Sequence, residues 1–229
     1  MLKDLQVAKS NYLVEASYKL TLQEQRLILA CLSKINSKIE PPKTITLSAS
    51  EYSDIMNIDI KNAHRELNKA ADKLYERSIT VSDPEKTEEF RWIQKKVIYH
   101  KGDGKVTITW SDDVLTYIGQ LKSRFTSYKI RNISSFQSTY SIRLYELLMQ
   151  FNSTKERTIS LDDFRSLFKI NDKYLKFKDL NRDVIKPSIK EINNVSDLVV
   201  CCSPIKKGRN IVALIFDFKQ NNQMKINFP

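Results

Sequence analysis

Glycine is scarce in this chain, at 4 of 229 residues, and proline numbers only 6. That scarcity excludes long flexible linkers, low-complexity tracts and extended disorder. Cysteine numbers 3, with Cys201 and Cys202 adjacent, which offers neither a disulfide framework nor a zinc-ligand spacing. Those two and Cys31 read as small core or strand residues of a reduced, cytoplasmic protein. No apolar run approaches the roughly 18 residues of a membrane span, and the opening MLKDLQVAKSN has no hydrophobic signal core. No membrane partner is therefore expected. Histidine is limited to His64 and His100, 36 positions apart. A metal-dependent nicking enzyme needs closely spaced ligands, and no His-x-His pair exists here. A G-x-x-x-x-G-K phosphate loop is also missing, which argues against an ATPase. The reading is a non-enzymatic protein without cofactor or metal. The paired acids Asp112-Asp113 and Asp162-Asp163 fall where helices begin, where carboxylates cap free amides and favour the dipole.

What is present in excess is positive charge: 38 basic against 27 acidic residues, a formal net charge of +11. Residues 1–129 carry 21 basic and 17 acidic side chains, net +4; residues 130–229 carry 17 and 10, net +7. An anionic partner is implied, with its main contact in the C-terminal half. Hydrophobic content of 41% supports a core for one large or two small domains. The charge is also patterned. Lys178, Arg182, Lys186 and Lys190 recur at i, i+4 on one face of a helix over 178–193, opposite Leu180, Val184, Ser188, Ile189 and Ile192. At 1.5 Å per residue the cationic ridge is roughly 18 Å long, and a helix of this width fits the major groove of DNA. Pro187 is expected to bend the rod.

The chain repeats itself. Ile45-Thr-Leu-Ser-Ala-Ser-Glu-Tyr-Ser-Asp-Ile-Met-Asn-Ile58 resembles Ile159-Ser-Leu-Asp-Asp-Phe-Arg-Ser-Leu-Phe-Lys-Ile170, with Tyr52 and Phe164 at a spacing of 112, as are Ile58 and Ile170. Upstream, Arg26-Leu27 parallels Arg143-Leu144, 117 apart. Three elements in one order are what a duplicated domain predicts. In the first copy, helices are expected over 21–36, after the capping box Ser48/Glu51, and after the cap Asp59. Strands come next over 78–82, 90–100 and 105–110, the last two joined at Gly102-Asp103-Gly104. His64 falls on the apolar side of the third helix and reads as a packed core histidine. In the second copy, helices over 139–151, 161–168 (capped by Ser160) and 178–193 precede a hairpin, 198–203 and 210–218. That hairpin turns at Lys206-Lys207-Gly208-Arg209. Three helices and then a ribbon with a basic tip make a winged helix-turn-helix. The fold class is α+β: two tandem winged helix-turn-helix domains, expected at 1–124 and 125–229.

The segments NYLVEASYKLTLQEQRLILACLSKIN from Asn11, STYSIRLYELLMQF from Ser138 and LDDFRSLFKINDKYLKFKDLNRDVIKPSIKEIN from Leu161 resemble the iteron-binding replication initiators of bacterial plasmids. The most specific element is Arg143 to Leu147, and the similarity spans roughly Asn11 to Phe218. The resemblance implies two winged-helix domains of shared ancestry. It implies a C-terminal domain that reads repeated origin sequences, and an N-terminal domain that dimerises and adds DNA contacts. Dimers would repress the initiator's own gene at an operator, while monomers in equilibrium with them bind origin repeats. Partners implied are double-stranded DNA, the host replicative helicase and the host initiator. No C-terminal extension beyond the second wing is expected. An alternative on the same fold is a dedicated transcriptional repressor, since fold does not fix function.

Side-chain chemistry selects the residues expected to touch DNA. Arg182 can fork onto guanine O6 and N7, and Asn181 can pair with adenine. Lys178 and Lys186 are expected to grip phosphate, with Lys173, Tyr174 and Lys176 on backbone at the helix entry. Lys206, Lys207 and Arg209 at the wing tip fit phosphate or the minor groove. In the N-terminal domain Lys61, Asn62, Arg65 and Lys69 occupy the corresponding ridge, diluted by Glu66, Asp72 and Glu76. The strands between Phe90 and Trp110 offer an exposed edge for dimerisation.

Overall fold

The structure is a computed structural model and describes residues 5–99 and 104–221. The chain divides into two compact units, Met1–Ser135 and Phe136–Pro229. The boundary expected at 124 is displaced because β7 (Phe125–Lys129) pairs antiparallel with β1 (Gln6–Ser10), which ties residues 125–129 to the first unit. His100, Lys101, Gly102 and Asp103 lie outside the described residues, and with them most of the expected turn before Gly104.

In the first unit β1 leads into α1 (Asn11–Glu15) and α2 (Leu22–Ser33). Next come β2 (Thr44–Ser48), α3 (Ala49–Met56), α4 (Ile60–Leu74), β3 (Ser78–Ser82), β4 (Thr87–Arg91), β5 (Ile93–Ile98), β6 (Lys105–Trp110) and α5 (Asp112–Ile118). The helix starts obey local chemistry. Ser48 accepts from the Glu51 amide at 3.1 Å while Glu51 accepts from the Ser48 amide at 2.9 Å, the reciprocal box read from the sequence. Asp59 accepts from the Lys61 amide at 2.8 Å and starts α4. A second box, Thr21 with Glu24, starts α2. At α5 the cap is Ser111, with Asp112 and Asp113 in the first turn.

The strand expected over 90–100 is two strands in two sheets. Trp92, fully buried, separates them, with its ring edge-on to Tyr18 at 5.2 Å. β4 pairs only with β3, while β5 joins the three-stranded sheet β2-β6-β5. Within the expected edge over Phe90–Trp110, β6 is paired on both sides, so the edge strands there are β5 and β4.

The second unit begins with α6 (Thr139–Met149), β8 (Glu156–Ser160) and α7 (Leu161–Leu167). A helical run comes next as α8 (Phe177–Leu180), a π-turn (Asn181–Ile185) and α9 (Lys186–Val195), then the hairpin β9 (Leu198–Lys207) and β10 (Asn210–Gln220). Its sheet order is β8-β10-β9. In the first unit β2, before α3, pairs with β6, which pairs with β5; in the second β8, before α7, pairs with β10, which pairs with β9, so the two three-stranded sheets share one topology. The matched arginines Arg26 and Arg143 pair differently, Arg26 with α4 and Arg143 within its own helix. Both guanidinia are buried, Arg26 Nη1 standing 3.6 Å from Glu66 Oε2 and Arg143 Nη1 3.6 Å from Glu146 Oε2.

The second core stacks Phe164 on Phe168 with centroids 4.3 Å apart, beside Phe216. Leu144, Leu148, Leu180, Val184, Ile192, Leu198 and Leu214 are buried in the same unit. That burial anchors the cationic helix and the wing to one scaffold.

Candidate nucleic-acid interface

The helical run Phe177–Val195 buries Leu180, Val184, Ile185, Ser188 and Ile192 and exposes Lys178, Arg182, Lys186 and Lys190. Asn181 is half-buried beside the ridge. Where a bend was expected at Pro187, the helix carries a π-turn over Asn181–Ile185. Proline at 187 has no amide, and in a plain α-helix its ring would press on the carbonyl of residue 183. The chain answers with one wider turn, in which the Lys186 amide donates to the Asn181 carbonyl five residues back.

The entry to this helix is held by a residue the sequence pattern gave no reason to single out. Arg165 on α7 is buried, and its guanidinium donates to three successive carbonyls: Lys173 at 2.8 Å, Tyr174 at 2.7 Å and Leu175 at 3.1 Å. Tyr174 sits at φ +52°, a left-handed conformation unfavourable for a bulky side chain. The Arg165 clamp and a hydrogen bond between the phenols of Tyr140 and Tyr174 hold it there. Burial, then that bond, push the Tyr140 phenol up to about 12. Lys173 and Lys176 stand exposed on either side of Tyr174, with Leu175 the most exposed apolar residue of the turn at 77%.

Arg182 is engaged by its own helix. Its Nε and Nη2 donate to the two oxygens of Asp183, each at 2.7 Å, and Nη1 lies 3.2 Å from Asp179 Oδ1. Hydrogen bonding from the guanidinium holds the Asp183 carboxyl below its ordinary range.

The wing is longer than expected, running to Lys207 and from Asn210. Gly208, at φ +64°, takes the first central position of the two-residue turn, where L-residues are disfavoured. A bulge at Val212 interrupts the register between Ile211 and Ala213. Lys206, Lys207 and Arg209 are all exposed at this tip.

In the first unit Lys61, Asn62, Arg65 and Lys69 are exposed on α4, with Arg65 Nη2 donating to Asn62 Oδ1 at 2.9 Å. All three diluting acids are already engaged: Glu66 by Arg26 at 3.6 Å, Asp72 by Lys96, and Glu76 by Arg91 at 3.5 Å. His64 is not a core residue. It is exposed, its imidazole lying over Gly104, where an added Cβ would come within 2.3 Å of Nδ1. The helical period put it beside the apolar stripe, but at the stripe's margin a side chain turns outward. Lys34, Glu51 and Lys105 line the same open concavity, with Lys34 Nζ 2.7 Å from Glu51 Oε1. Burial raises the Glu51 carboxyl, but the hydrogen bonds from Lys34 and Ser48 outweigh it and hold the group below its usual value.

Among the described residues, no cluster of three or more His, Cys, Asp and Glu side chains is placed to hold a metal. No described helix is long and apolar enough to cross a membrane. The arrangement is an exposed basic helix and a basic hairpin tip on one small domain, a geometry that can present cations to a polyanion and hydrogen-bond donors to base edges.

Known proteins resemble the chain along nearly its whole length. The family model described as Initiator Replication protein, WH1, matches residues 6–149, and Initiator Rep protein, WH2, matches residues 160–218. A replication initiation protein of Escherichia coli is 33% identical over 238 aligned positions, covering 98% of this chain and 73% of its own length. An uncharacterized 27.6 kDa protein of Escherichia coli is 24% identical, with 93% and 95% covered. Among solved structures, the Pi initiator protein, crystallised in complex with iteron DNA, is similar with a TM-score of 0.82 at 20% identity over 96% of this chain and 99% of that one. Domains 2 and 3 of RctB share the fold more loosely, with a TM-score of 0.50 at 13% identity over 89% of this chain and 84% of that one.

Proposed function

This chain belongs to the initiator replication protein family, with both of its winged-helix domains, and on that footing we propose that it initiates plasmid replication by reading repeated origin sequences in double-stranded DNA. The observation that carries the reading is the exposed ridge Lys178, Arg182, Lys186 and Lys190, set on a buried apolar face and succeeded along the chain by the basic tip Lys206, Lys207 and Arg209. The similar Pi initiator was crystallised on iteron DNA, which supports the same ligand class here.

In this reading Arg182 and Asn181 meet base edges, Lys178, Lys186, Lys173 and Lys176 meet phosphates, and the wing tip reaches the flanking backbone. Lys61, Asn62, Arg65 and Lys69 supply a second, weaker grip from the first unit. Opening of the origin, recruitment of the host helicase and host initiator, and repression of its own gene as a dimer complete the proposal. The free edges of β5 and β4 are the proposed dimer surface. Sedimentation of the full chain across concentration checks that part, and a strict monomer at high concentration counts against it.

The central test is binding of the full chain to direct-repeat duplexes from its own origin against random duplex. Preference for the repeats, with affinity falling on added salt by about 0.9 in log–log slope per phosphate neutralised, is expected. Equal affinity for both duplexes would remove the function.

A further inference from the structure

The ridge that faces DNA in the proposed function also carries two carboxylates, Asp179 and Asp183, both tied to Arg182. A surface built only to hold a polyanion gains nothing from acids at that position, since a carboxylate near phosphate repels it. Geometry supplies a reason for them.

A guanidinium has five N–H groups. Asp183 takes the edge formed by Nε and one hydrogen of Nη2, and Asp179 sits against Nη1. The outer edge, one N–H each from Nη1 and Nη2 in parallel, gives no hydrogen bond to Asp183, whose two bonds fall on Nε and Nη2. That pair is a fork of the shape that meets guanine O6 and N7. The same two acids outnumber the one guanidinium and leave the trio with a net negative charge. A phosphate approaching it meets no excess of cation, whereas a neutral base edge meets an oriented double donor.

We infer that Asp183, assisted by Asp179, is a specificity residue that positions Arg182 end-on for a guanine and withholds it from the DNA backbone. The inference rests on the DNA-reading function proposed above, and the two fail differently.

The test uses the full chain as wild type, Asp183→Asn, Arg182→Ala and the double variant. The probes are the duplex that wild type enriches from a randomised pool and a random-sequence duplex of equal length, both tracked by fluorescence anisotropy across salt. Both substituted positions are solvent-facing, and circular dichroism confirms that each variant is folded. Asp183→Asn is expected to tighten random-duplex binding by about fivefold, from loss of one repelling charge and release of Arg182. Its salt slope on random duplex should steepen by about one unit as Arg182 engages a phosphate. The enriched-to-random affinity ratio should fall by about tenfold, the discrimination of one bidentate pair. With Arg182→Ala already in place, Asp183→Asn should leave the ratio unchanged. Two results overturn the inference: equal tightening on both duplexes with the ratio intact, or a ratio that falls just as far without Arg182. If wild type enriches no sequence at all, the DNA-reading function itself is lost and takes the inference with it.

Discussion

Arg165 shows how much a single buried side chain carries. It binds three consecutive carbonyls and so fixes the turn that delivers Lys173, Lys176 and Lys178. Arg165→Met keeps the apolar stem and removes the donors, and should cost about 2 kcal/mol in thermal unfolding as the carbonyls lose a charged partner. Amide hydrogen exchange should accelerate across Lys173–Lys176, which a loss confined to α7 packing would not produce. The ridge residues have their own signatures. Arg182→Ala should cost about 1–3 kcal/mol on the preferred repeat and relax one base position, whereas Lys207→Ala should weaken all sequences alike and flatten the salt slope by about one unit. Competitive binding to single-base repeat variants separates the two. The ridge was legible in the sequence because i, i+4 spacing puts Lys178, Arg182, Lys186 and Lys190 on one helix face opposite the apolar positions, and the repeat and basic hairpin beside it lifted it above an ordinary solvated face. Arg165 was not, because its partners are backbone carbonyls, which have no residue identity. His64 was misplaced for a related reason: periodicity fixes an angle around the helix but not which way a marginal side chain turns.

At the scale of elements, local chemistry decided what was readable. The strands at 78–82 and 105–110 emerged as expected, being short β-rich runs, as did the helices begun by Ser48, Asp59 and Ser160. The split of β4 from β5 was hidden because Trp92 continues an apolar run while the chain changes sheet. The β1–β7 pair was hidden because its strands are five residues each and far apart in sequence. The π-turn is the element with most bearing on function, since it contains both Asn181 and Arg182. One residue added to a turn rotates the upstream half of the helix by about 100° relative to the downstream half. Pro187→Ala restores an amide at 187 and removes the ring, allowing the Asp183 carbonyl to accept in the ordinary α pattern. The variant should lose about 2–3 kcal/mol in thermal unfolding, because the same rotation takes fully buried Leu180 out of its core position. Its preference for the repeat should drop while random-duplex affinity holds, because Lys178 and Arg182 turn away from the line of Lys186 and Lys190. Unchanged preference would mean that packing of Val184 and Ile185, rather than the proline, sets the turn.

For the whole molecule, the matching strand orders β2-β6-β5 and β8-β10-β9 mean that one design was used twice and then charged differently. The first unit pairs the acids of its α4 region with Arg26, Lys96 and Arg91 and leaves Lys61 and Lys69 without a carboxylate within salt-bridge distance among the described residues, as the second leaves Lys178, Lys186 and Lys190; the second alone sets two carboxylates on a ridge arginine, Arg182. In the proposed division of labour, reading falls to the second unit and grip to the first. Replacing Lys61, Arg65 and Lys69 together by alanine in the full chain tests this division. If each meets one phosphate, the log–log salt slope should fall by about 0.9 for each phosphate released, close to three units in all. The repeat-to-random ratio should stay within about twofold of wild type, because phosphate contacts carry no base information. Should the ratio collapse with the slope, α4 reads bases as well, and the two copies differ in sequence preference instead of in task.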